Sequence, residues 1–64
     1  MYNHEWHFFD LNGKKTVITI IDAEIYNVSD GKRHNGKNYR IVGKITGTKG
    51  KKVAILLAIE ILQF

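Results

Sequence analysis

Apolar and polar positions alternate along this chain with a period near two, and polar, glycine-bearing breaks interrupt the alternation in three places. The first break is Leu11-Asn12-Gly13-Lys14, where both central residues tolerate positive φ, the commonest condition for a tight hairpin. The second is the polar stretch from Ser29 to Asn38, with Gly31 and Gly36 inside it, and the third is Gly47-Thr48-Lys49-Gly50. Between them the pattern predicts four strands, over residues 2–11, 14–28, 38–46 and 51–63. The expected fold is all-β: a strongly curved four-stranded antiparallel meander, of the SH3-like or OB-like half-barrel sort, in a single domain spanning residues 1–64.

A two-residue turn at Asn12-Gly13 would pair Phe8 with Val17 and Trp6 with Thr19, placing Trp6, Phe8, Val17, Ile21, Ala23 and Ile25 on one face. Pairing Ile25 with Ile41 and Ile21 with Ile45 keeps that face apolar, and sets Asp22 opposite Lys44 and Tyr26 opposite Arg40 on the other. A three-residue loop at Thr48-Lys49-Gly50 would then pair Ile45 with Val53 and Ile41 with Leu57, bringing the bulky side of the last strand to the same core. Gly43, inside the third predicted strand, suggests sharp coiling through a bulge.

The last fourteen residues weigh most. Ten of them are apolar, with Val53, Ile55, Leu57, Ile59 and Ile61 to one side of a strand and Ala54, Leu56, Ala58, Leu62 and Phe64 to the other. A chain of 64 residues has no second layer to cover both sides, so a partner is expected, most simply a second copy. The expected oligomer interface is Phe9, Ile18, Ile20, Val42, Leu56, Leu62 and Phe64, rimmed by charges. The competing reading is three strands and a C-terminal helix, since Ala54, Leu57, Ala58, Ile61 and Leu62 also satisfy helical spacing. Against it stand the β-branched Val53, Ile55, Ile59 and Ile61 and the lack of an acidic first turn.

Composition narrows the chemistry. With 44% apolar and 25% charged residues the chain reads as a folded domain, and the absence of cysteine excludes disulfides, thiolate metal sites and thiol nucleophiles. No basic, apolar leader pattern opens the chain and no apolar run is long enough to span a bilayer, so a cytoplasmic protein without a membrane partner is expected. The net charge of +4 suits an anionic partner but also ordinary solubility. Abundant Ile, Lys and Asn hint at an AT-rich coding genome, as in phages and plasmids of Gram-positive hosts.

His4, Glu5 and His7 are the clustered metal-capable side chains, but on a strand His4 points away from the other two, so neither metal nor cofactor is expected. Asp22 and Glu24 sit two apart, the spacing of a paired-carboxylate device, yet a surface ion pair with Lys44 is the simpler account, and no catalytic residues are assigned. Tyr26, Lys32, Arg33, His34, Lys37, Tyr39 and Arg40 interleave basic and aromatic groups, a composition that binds phosphates and stacks bases. A second basic group, Lys14, Lys15, Lys49, Lys51 and Lys52, is expected at the opposite pole, which divides the charge.

The favoured function is a small non-enzymatic binding protein, phage- or plasmid-encoded, inhibiting a host protein by occupying its surface as a homo-oligomer. The alternatives are a nucleic-acid or nucleotide binder using the basic and tyrosine pole, and a purely structural assembly subunit.

Overall fold

The computed structural model describes residues 2–46 and 53–62, and they form one mixed β-sheet. Its strands are β1 (Tyr2–Phe9), β2 (Lys15–Asp22), β3 (Gly31–His34), β4 (Lys37–Thr46) and β5 (Val53–Glu60). Their order in space is β2-β1-β5-β4-β3. Two antiparallel hairpins, β1–β2 and β3–β4, flank β5, which runs parallel to β1 and antiparallel to β4. The all-β class agrees with the sequence pattern, and 53–60 is a strand rather than a helix. The meander does not form: the β1–β2 hairpin is present, but β5 inserts between the hairpins and β2 has no pairing with β4.

The first turn is one residue longer than a two-residue hairpin. The Asp10 N–H donates to the Lys14 carbonyl at 3.0 Å and the Gly13 N–H to the Asp10 carbonyl at 2.9 Å, with Gly13 at φ +80°. The Asp10 carboxylate then accepts the N–H groups of Asn12 and Lys14, each at 2.8 Å. A side chain that satisfies two loop donors favours this three-residue loop over the bare Asn12-Gly13 turn. Trp6 therefore faces Ile18, and Phe8 faces Thr16. Relative to a two-residue turn, every β2 side chain changes face.

The segment 14–28 is not one strand. β2 stops at Asp22, and residues 23–30 cross from one sheet edge to the other, pinned at four points. The Tyr26 hydroxyl donates to Asp22 at 2.7 Å, His4 Nε2 donates to the Glu24 carbonyl at 2.8 Å, the Ser29 N–H donates to the Ile41 carbonyl at 2.8 Å, and the Ile41 N–H donates to the Asp30 carbonyl at 2.9 Å. The pairings of Ile25 with Ile41, Ile21 with Ile45, Asp22 with Lys44 and Tyr26 with Arg40 are thus absent, because β3 occupies that side of β4. β3 itself lies in the stretch read as a polar loop. Asn35 and Gly36, both at positive φ (49° and 75°), close it onto β4 in the geometry of a type I′ hairpin turn.

The sheet curls into a half-barrel. In a flat sheet β1 and β3, three strand spacings apart, would be separated by about 14 Å. Instead Phe8 and His34 stack with ring centroids 4.6 Å apart. The concave side holds the core: Trp6, Phe8, Tyr26, Tyr39, Ile41, Ala54, Leu56 and Ala58 are buried, with Ile18 and Ile20 at its margin. Ala54 and Ala58 leave room at the base of the curl for rings brought by the neighbouring strands. A β-bulge between Ile41 and Gly43 sharpens the bend, as the glycine suggested, and puts Ile41 inside and Ile45 outside. At Gly43 a Cβ would stand 3.1 Å from Leu57 Cδ1, a closer approach than a side chain takes comfortably. No helix among the described residues is long and apolar enough to cross a membrane. The proposed turn at 47–50 lies outside the described residues, as do Lys49, Lys51, Lys52 and Phe64.

Candidate functional site on the convex face

The strand parity that fills the concave side leaves the complementary set on the convex one. Row by row, Lys15, Phe9, Ile59 and Arg40 lie across the sheet; then Val17, His7, Leu57 and the Val42–Gly43 bulge; then Thr19, Glu5, Ile55 and Ile45. Ile21 heads the next row. Ile21 and Ile45 are 64% and 56% exposed, Val17 and Val42 about half exposed, and Ile59 42%. Phe9, Ile55 and Leu57 are half-buried. Together these side chains expose on the order of 500 Å² of apolar surface, at the upper end of what a monomer's largest patch ordinarily shows.

Two polar features mark this face. Glu5 and His7 form a 2.7 Å contact at its centre, between Val17, Thr19, Ile55 and Leu57. Lys15 and Arg40 end the first row, with the Lys15 ammonium 6.0 Å from the Phe9 ring centroid. An apolar surface around one central Glu–His pair, with Lys15 and Arg40 at its margin, suits a protein surface carrying apolar groups and carboxylates.

The interface residues read from sequence are divided between faces. Phe9 and Val42 are convex, and Leu62, 64% exposed, follows β5. Ile18 and Ile20 lie against the core margin, and Leu56 is wholly buried inside it. Leu56 is therefore closed to a partner, a consequence of the altered registers at the first turn and at the bulge. The convex surface is carried instead by Val17, Ile21, Ile45 and Ile59. Reading Asp10 as a turn acceptor would have revealed the shift.

The basic and tyrosine cluster is also split. Tyr26 and Tyr39 are core residues: Tyr26 meets Trp6 edge-on at 5.0 Å, and Tyr39 tilts against Phe8 at 4.6 Å. Their rings are occupied within the chain. Burial and then the bond to Asp22 push the Tyr26 phenol far above its ordinary range, while the same bond, followed by the Glu24 N–H, holds Asp22 below the usual carboxylate range. The Lys32 ammonium lies 5.5 Å from the ring centroids of both Trp6 and Tyr26, capping the concave side. Arg33 reaches Asn38 on the opposite face at 3.5 Å.

Among the described residues, Lys14 does not lie at the pole opposite His34 and Lys37, as the meander required. A cleft of about 200 Å³, lined in part by Phe8, Lys14, Thr16, His34, Lys37 and Tyr39, brings the β1–β2 and β3–β4 turns together. Of its cations, Lys37 stands 3.8 Å from Glu60, while Asp10, which also lines the cleft, takes the Lys14 backbone N–H. His4 points into the core while Glu5 and His7 face outward, and no three His, Cys, Asp or Glu side chains gather to hold a metal among the described residues. No family model matches the sequence, and neither the curated proteins nor the solved structures give a significant match.

Proposed function

We propose that this chain is a non-enzymatic protein-binding module that works as a homo-oligomer and acts by occupying a partner protein's surface. One observation carries the reading: the apolar convex face of β2, β1, β5 and β4, which the described residues leave uncovered. The burial of Tyr26 and Tyr39 favours protein over nucleic acid, because base stacking needs open rings, and Lys37 is already engaged by Glu60. The partner is expected to bring apolar side chains to Val42 and Ile45 and a carboxylate toward Arg40 or Lys15. An inhibitor of a host factor is the biological role that fits such a surface.

The test is affinity capture from a bacterial lysate with mass-spectrometric identification, using the wild type and a Val42→Glu/Ile45→Glu variant. Both positions are exposed, so the variant should keep its far-UV spectrum and melting temperature. The wild type is expected to return one stoichiometric protein that the variant loses. Equal recovery by both, or salt-sensitive DNA binding by the wild type with no protein partner, would overturn the proposal.

A further inference from the structure

The two edges of this sheet are built differently. β3 is four residues long and carries Lys32 and Arg33, the short and charged design that discourages edge pairing. β2 is eight residues long, with charge only at its ends, Lys15 and Asp22. Between them run Thr16, Val17, Ile18, Thr19, Ile20 and Ile21, six β-branched residues without glycine, proline or bulge. The Asp10–Lys14 bond makes that pair a hydrogen-bonded one. By alternation, the even residues of β2 direct their N–H and C=O groups to β1. Lys15, Val17, Thr19 and Ile21 direct theirs outward, beyond the last strand of the sheet.

We infer that β2 is the seam of the homo-oligomer: it pairs antiparallel with β2 of a second copy across a two-fold axis, giving a continuous ten-stranded sheet. An axis normal to the sheet keeps concave side with concave side, so facing residues share parity. Among the registers this allows, one matches chemistry on both faces. Thr19 meets Thr19 of the second copy on the axis, Val17 meets its Ile21, and Ile18 meets its Ile20. Ile18 and Ile20, half-buried at the core margin in one chain, are covered by this pairing. Sliding the seam to place Ile18 on the axis would set Val17 against Thr19 and Lys15 against Ile21. The convex faces of the two copies then lie side by side, joining two partner-binding surfaces.

This inference rests on the homo-oligomer part of the proposed function and is separable from it. Thr19→Pro removes an outward N–H that pairs with no strand among the described residues, so the single subunit should retain its fold. Light scattering with size separation is expected to show a dimer for wild type and for Val42→Glu/Ile45→Glu, and a monomer for Thr19→Pro, with the association midpoint raised at least about tenfold. A wild-type monomer at hundreds of micromolar would overturn both the seam and the oligomer. A Thr19→Pro dimer would overturn the seam alone. Should Thr19→Pro lose its far-UV spectrum, Thr19→Cys decides the matter, since the chain has no other cysteine. On the axis, facing Cα atoms stand about 5.5 Å apart, within disulfide reach. Mild oxidation should cross-link Thr19→Cys and leave Val17→Cys uncross-linked; equal cross-linking of the two refutes the register.

Discussion

Leu56 and Leu57 are neighbours in sequence and identical in chemistry, yet they face opposite sides of the central strand, so truncating each to alanine tests the whole face assignment. Leu56 is fully buried, set beside Trp6 of β1 and Lys44 of β4. Its removal loses the transfer free energy of a complete side chain and leaves a cavity that the curled sheet cannot collapse around, a cost of about 3 kcal/mol. A chain of this length has a total stability of only about 3–10 kcal/mol. Leu57 lies half-buried over the bulge on the convex side, where water fills the vacancy, and its truncation should cost about 1 kcal/mol. Urea unfolding followed by Trp6 fluorescence reads the difference. With a slope near 1 kcal/mol/M for so small a domain, the midpoint should fall by about 3 M for Leu56→Ala and about 1 M for Leu57→Ala. Measuring at two protein concentrations separates subunit stability from association. A Leu57→Ala loss equal to or larger than that of Leu56→Ala would mean the faces are exchanged, and the registers described above would be wrong.

Tyr26 should give the protein an alkaline limit. Its folded phenol ionises well above its unfolded value near 10, so the stabilisation is complete below pH 10 and is lost as pH rises further. Tyr26→Phe should remove that alkaline dependence and, by deleting a bond to a carboxylate, lower stability by about 1–2 kcal/mol at neutral pH; thermal melts from pH 7 to 11 give both. Asp22, held below its ordinary value, contributes in the opposite sense, above the unfolded carboxylate pKa and less as acid protonates it. Lys32→Ala uncaps the sole tryptophan, so Trp6 emission should shift to longer wavelength with a loss of about 0.5–2 kcal/mol. An unchanged spectrum would place the Lys32 ammonium away from the ring.

Period-two alternation, β-branched residues and glycine-bearing breaks were enough to make this chain a curved β-sheet, and so apolar a final segment matches the exposed apolar face among the described residues. Those are local properties. Val53, Ile55 and Ile59 favour an extended backbone whatever their neighbours, and Asn-Gly pairs close hairpins wherever they fall, at Asn12-Gly13 and, unread, at Asn35-Gly36. Which strands meet is not local. The insertion of β5 between the hairpins requires a parallel pairing with β1, fixed by contacts some fifty residues apart, which no adjacent turn announces.

The identity of the buried face was also a tertiary decision. A three-residue loop at Thr48-Lys49-Gly50 and the bulk of the side chains assigned Ile55, Leu57 and Ile59 to the core and the alanines to the outside. In a tightly curled sheet the concave side narrows toward its base, so the central strand presents Ala54, Leu56 and Ala58 there while Trp6, Phe8 and Tyr39 converge from the flanks. The larger aliphatics lie on the convex side, where neighbouring side chains diverge. One extra residue in the loop after Asp10 and one bulge at Val42 set the registers to match. The sequence by itself determined that a greasy surface would remain; the curvature decided which one, because side-chain volume is accommodated by the space between strands rather than by hydrophobicity alone.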